Sequence, residues 1–139
     1  MATETRCYFE KALISGCAKC SQARRRDIGE RLLYYCGSAT AAQRCERYVS
    51  LLRQNARFVF RQPLASEPIL SNYQDICLQC GGLQGLAGIV NGDPDEVITD
   101  VSQLLQAFDD EHQGIESISL DQIVPRIAAY NPRPHRKKK

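Results

Sequence analysis

The chain has 139 residues, 24% of them charged, with a formal net charge of +2; that length can bury a core without disulfide staples, and one domain is expected. No stretch offers the roughly 18 consecutive apolar residues of a membrane span, and the opening MATETRCYFEKAL lacks the basic-then-apolar pattern of a secretory leader. A cytoplasmic protein is therefore expected, and in that reducing compartment the seven cysteines should not form a disulfide framework.

In chain order, helix signals dominate and no alternating run bounded by turns stands out. A first helix is expected from Thr3 to Ile14, broken by Gly16. A second runs from Ser21 to Tyr35 through Arg24, Arg25 and Arg26, with Ile28, Leu32 and Tyr35 on one face and Gly37 as its stop. A third carries Cys45, Tyr48, Val49, Leu52, Ala56 and Val59 on one buried stripe. The segment 62–71, with Pro63 and Pro68, reads as a connection and marks a possible subdivision. Asn72 to Val90 follows as a helix despite four glycines, each costing about 1 kcal/mol relative to Ala. Gly81, Gly85 and Gly88 share a face, open to another backbone or to a cluster. Asn91-Gly92 turns the chain, and Asp93-Pro94-Asp95-Glu96 has the form of a capped helix start. Val97, Val101, Leu104, Leu105 and Phe108 are that helix's inner face, and Asp109, Asp110 and Glu111 oppose its dipole, so its end should fray. A last helix after Ser119 carries Ile123, Ile127 and Ala128 inward, with Pro125 near its start. Residues 131–139, NPRPHRKKK, read as a disordered basic tail. The expected fold is all-α, a small bundle of about five to six helices in residues 1–130, built around a cysteine-ligated metal centre.

Charge is unevenly distributed: residues 1–62 carry twelve Lys or Arg against five Asp or Glu, whereas residues 63–130 carry one against eleven. The acidic half should pack on the basic half or exchange charges with it, or chains should pair head to tail.

The strongest chemical signal is Cys17-Ala18-Lys19-Cys20, because two residues between thiols let both sulfurs reach one metal. Cys36 and Cys45 complete a set spaced C-x2-C-x15-C-x8-C, brought together if the second and third helices form a hairpin. Three readings compete: packed core thiols, a structural zinc site, and an iron-sulfur cluster. Zinc sites favour a second close pair or a His, and neither His112 nor His135 is near. A cluster is larger, accepts thiolates from separated helix ends and favours basic surroundings such as Arg24, Arg25, Arg26 and Arg44. Cys77-Leu78-Gln79-Cys80 is a second pair, a ligand source or packed inert thiols, and Cys7 is a ligand or a core residue.

Cys17-x2-Cys20, Cys36 and Cys45 leading an arginine-bearing helix resemble the helical 4Fe-4S module at the start of leucine-rich variant repeat proteins. The resemblance covers residues 17–47. It implies a 4Fe-4S cluster held by Cys17, Cys20, Cys36 and Cys45. The gaps before the third and fourth cysteines are longer here, and no such repeats follow.

The expected role is electron transfer, redox sensing or cluster assembly with a protein partner. The alternative is a zinc-stabilised module contacting nucleic acid or an acidic protein. No phosphate-binding loop, metalloprotease motif, nucleophile elbow or thioredoxin-like βαβ pattern argues for an enzyme.

Overall fold

A computed structural model of the chain describes residues 5–60, 71–92, 98–112 and 114–130. In order, its elements are β1 (Thr5–Arg6), α1 (Glu10–Ser15), β2 (Ala23–Ile28), β3 (Arg31–Cys36), α2 (Ala39–Asn55), α3 (Arg57–Phe60), α4 (Asn72–Asn91), α5 (Val101–His112), a 3-10 turn (Ile115–Ser117) and α6 (Leu120–Ala129). The all-α expectation is therefore corrected to a mixed α/β fold, with an antiparallel sheet in the order β1-β3-β2.

The error lies at Ser21 to Tyr35, expected as a helix and folded as a β-hairpin. Ile28 pairs with Arg31, so Gly29-Glu30 is a two-residue loop, and Gly29 has φ +62°. A positive-φ glycine suits such a loop and weakens a helix. The helix-spaced set Ile28, Leu32 and Tyr35 buries no common face, since Ile28 is 53% exposed. What carries the strand is the run Leu32-Leu33-Tyr34-Tyr35, apolar and aromatic residues that suit a half-buried pleat. The first helix also begins later than expected, leaving Thr5–Arg6 to pair with Tyr35–Cys36.

The helices past this point follow their patterning. Ser38 accepts a hydrogen bond from the Ala41 N–H at the start of α2, whose Cys45, Tyr48, Val49 and Leu52, with Ala56 beyond, are buried. At the start of α4, Ser71 and Gln74 form a reciprocal capping box. A Cβ on Gly81 would lie 2.6 Å from the Ile127 Cα, and one on Gly85 would lie 3.0 Å from the Ile123 Cα. The glycine face thus lets the α6 backbone lie directly on α4. In α5, Val101, Leu104, Leu105 and Phe108 are buried. That helix runs to His112 without the expected fraying: the His112 ring stacks on Phe108 and Asp109 pairs with Arg44 at 3.5 Å. Ile123 and Ile127 of α6 point inward, while Ala128 is exposed. The expected start at 93–96, Val97, most of the connection at 62–71 and the tail at 131–139 lie outside the described residues.

One core cluster runs from Phe9 through Tyr48 and Leu83 to Ile127. At its centre the fully buried Tyr48 hydroxyl donates to the Gly82 carbonyl at 2.6 Å. Charge crosses the same contact between the halves, with Arg44–Asp109, Arg47–Glu116 and Arg53–Asp75 pairs. Among the described residues no helix is long and apolar enough to cross a membrane.

Candidate metal centre

The sheet root, the CxxC loop and α2 deliver four thiols to one cavity. β1 pairing brings Cys7 beside β3, where its N–H donates to the Tyr34 carbonyl at 2.9 Å. Cys36 ends β3 opposite Thr5 on one side and Ala23 on the other, and its Sγ donates to the Ser38 carbonyl at 3.2 Å. Cys45 comes from the buried face of α2. Cys20 arrives on a loop strapped to α5: Lys19 N–H donates to the Ile98 carbonyl, Val101 N–H donates to the Lys19 carbonyl, and Ser21 N–H donates to Asp100. Cys7, Cys20, Cys36 and Cys45 line the same cavity, whose wall includes the small residues Ala23, Ala41 and Ala42.

Cys17 is absent from this group. It forms a disulfide with Cys80 of α4, 63 residues away, with the Cα atoms 6.1 Å apart, while Cys7, Cys20, Cys36, Cys45 and Cys77 are free thiols. The backbone explains the split within the motif. Ala18 bridges to Ile98 in parallel fashion and Lys19 is hydrogen-bonded on both sides of its peptide, so the segment runs extended instead of turning. In an extended chain, residues three apart project to opposite sides. Cys17 therefore meets α4 while Cys20 meets the cavity. Cys77 is placed elsewhere again, buried with its Sγ donating to the Tyr130 carbonyl at 3.7 Å. The second CxxC brings no thiol to this cavity: Cys80 is bonded to Cys17, and Cys77 packs toward Tyr130 at the end of α6.

Burial pushes the Cys7 thiol up to about 12, with the neighbouring Cys20 and Cys36 adding to the effect. Cys45 is pushed up strongly, first by burial and then by Cys7, Cys20 and Cys36. Cys20 is raised by burial as well. Each of these thiols senses others of the group, so each ionisation is opposed by the next. The opposing influence is a set of N–H groups: Phe9 N–H serves the Cys7 sulfur, and Gln22 and Ser102 N–H serve that of Cys20. Ser102 lies in the first turn of α5, so the positive end of that helix faces Cys20. Burial works against the Asp100 carboxylate, yet hydrogen bonds from Ser21, Gln103 and Ser102 hold it below its ordinary value.

All four donors are sulfur, with N–H groups already directed at two of them. A tetrahedral zinc with Zn–S near 2.3 Å would gather its sulfurs to about 3.8 Å from one another. Among the described residues no group of three or more His, Cys, Asp or Glu is arranged to hold a metal ion. The space between the thiols is about 10 Å³, room for about one water, so the thiols would have to move apart to admit a cluster.

Ser102 and Asp100 are the residues near the site that chain order conceals, and Cys7 is the one that it leaves open between ligand and core. The signal for Cys7 was the Ile28-Gly29-Glu30-Arg31 turn, since recognising the hairpin brings β1 and its following cysteine to β3. Nothing local points to Ser102. No family model matches this chain, and neither the curated proteins nor the solved structures contain a match to it.

Proposed function

We propose that the protein binds an iron-sulfur cluster through Cys7, Cys20, Cys36 and Cys45 and serves in electron transfer, redox sensing or cluster assembly. The observation that carries this reading is the convergence of four thiols, from four separate segments, on one cavity free of carboxylate and imidazole. The resemblance of residues 17–47 to the helical 4Fe-4S module supports the cofactor but would place Cys17 where the cavity has Cys7. A bound cluster supplies one-electron redox chemistry. The chain's part is to surrender the thiol protons, hold the sulfurs on four anchored segments, and offset the resulting negative charge with the Phe9, Gln22 and Ser102 N–H groups.

The test is anaerobic reconstitution with ferrous iron and sulfide, followed by iron and sulfide analysis and visible absorption of wild type, Cys7→Ser and Cys17→Ser. The expected result is loss of the chromophore in Cys7→Ser and its retention in Cys17→Ser, with circular dichroism confirming that both fold. Loss in Cys17→Ser with retention in Cys7→Ser would return the ligand set to the sequence spacing. Zinc without sulfide would identify a structural ion instead, and absence of any metal would sink the proposal.

A further inference from the structure

The four thiols of the cavity have to part before anything larger than about one water sits between them, and they are not held alike. Cys36 lies in β3 and Cys45 in α2, while Cys7 directly follows β1 with its N–H bonded to the Tyr34 carbonyl. Cys20 belongs to no helix or strand. Besides the thiol cavity it lines an open depression of about 270 Å³, shared with Gly16, Lys19 and Tyr34. Cys20 therefore stands between the cavity and solvent, and the loop that carries it is the part of the site able to yield. That loop is tied down in two ways. Backbone hydrogen bonds join Lys19 to Ile98 and Val101, and the Cys17–Cys80 bond joins the same loop to α4. The second tie is covalent, and a redox reaction opens it without unfolding the chain.

We propose that the Cys17–Cys80 disulfide is a reducible latch on the four-thiol site, closed when oxidised and released by a dithiol reductant. For what then enters the site, this rests on the cluster reading. Cys80 is fully buried, whereas Cys17 is half-buried and follows the exposed run from Ile14 to Gly16, so the reductant's thiolate attacks the Cys17 Sγ. The S–S bond breaks, its electron pair goes to the Cys80 sulfur, and that sulfur takes up a proton. The reductant's second thiolate then attacks the reductant sulfur of the mixed disulfide, which releases Cys17 as a thiolate that is protonated in turn. Two electrons and two protons have passed to the protein, and the dithiol has become a disulfide. The open form finds its hydrogen-bond partner in place: Ser15 Oγ donates to the Ala12 carbonyl and lies 3.5 Å from the Cys80 Sγ, so the buried thiol that forms has an acceptor beside it. Cys20 does not replace the external reductant, because the extended loop sends its sulfur to the side opposite Cys17.

The experiment is timed alkylation of the metal-free full chain with N-ethylmaleimide, mapped by peptide mass spectrometry. Its samples are oxidised wild type, wild type reduced with a dithiol that is then removed, and Cys17→Ser without reductant, each checked by circular dichroism. In the reduced chain and in Cys17→Ser, Cys20 is expected to react at least about tenfold faster than in the oxidised chain, while the buried Cys45 stays slow in all three. This readout contains no metal. If the difference stands and the reduced chain still takes up no iron, the latch is supported and the cluster reading alone fails. Equal Cys20 rates overturn the proposal, as does a bond that the dithiol opens only in urea. Acceleration of Cys45 to the same degree as Cys20, or loss of the native circular dichroism on reduction, overturns it too, because the bond is then a staple of the whole fold.

Discussion

Raising the pH should unfold the metal-free protein from its thiol cavity outward. Burial raises both Cys7, to about 12, and Cys45, whereas a thiol in the unfolded chain ionises near 8.5. The folded state thus holds these protons more tightly. Their contribution is complete below about pH 8.5 and is lost as pH climbs toward the folded values. Each group then costs about 1.4 kcal/mol per pH unit, and the two together about 2.7. Cys20, also raised but less enclosed, adds a smaller share. From pH 8.5, where the unfolded thiols are half ionised, to pH 10 the loss is about 3 kcal/mol, a large part of the roughly 5–15 kcal/mol that holds a domain folded. The assay is urea unfolding followed by circular dichroism across that range, under nitrogen and without added thiol, so that the Cys17–Cys80 bond stays closed. Cys45→Ala should halve the slope. Reconstituted protein, its thiolates already formed, should show almost none. A metal-free unfolding free energy that stays level or rises between pH 8.5 and 10 would refute the reasoning.

Gly81→Ala should destabilise by about 2 kcal/mol: the added methyl meets the Ile127 backbone instead of a flexible side chain, which belongs at the upper end of the roughly 1–3 kcal/mol cost of overpacking, less the roughly 1 gained in helix propensity. A thermal melt reads this, and an unchanged or higher midpoint contradicts the close α4–α6 approach. Tyr48→Phe removes a second donor from the Gly82 carbonyl, which still accepts within α4, and should cost about 0.5–1.5 kcal/mol by urea unfolding; no loss would mean that the 2.6 Å bond contributes nothing net. Asp100→Ala should cost about 1 kcal/mol at neutral pH. Because the Asp100 pKa is depressed, that difference should shrink as pH falls below the ordinary carboxylate range, and a penalty that persists in acid would show that packing, not charge, carries it. Cys17→Ser opens a long loop and should lower stability by about 2–4 kcal/mol, whereas Cys77→Ser should leave the thiol cavity's iron content unchanged.

Much of the helical architecture is legible in the sequence because α2, α5 and α6 each bury one stripe of a regular period. The capping residues Ser38 and Ser71 confirm where α2 and α4 begin. The glycines of α4 announce a close approach, although the sequence leaves open whether a helix or a cluster makes it. The hairpin stayed hidden because Ile28, Leu32 and Tyr35 happen to match a helical spacing. Gly29 alone contradicts that match. Once that segment is misread, the sheet disappears, and with it the pairing that lifts Cys7 to the level of Cys36.

The same logic explains why the most prominent motif did not define the site. A CxxC pair shares one ligand only if the residues between the thiols turn, and whether they turn is decided by what the backbone can bond to. Here the partner of Ala18 and Lys19 is the segment Ile98 to Val101, about 80 residues downstream, which holds the motif extended and sends its two sulfurs apart. Cys17 is left to tie the loop to α4, and the vacant position beside Cys20 is filled by Cys7 through strand pairing. Thiol spacing therefore points to the proposed chemistry, while long-range backbone hydrogen bonds choose which thiols share the cavity.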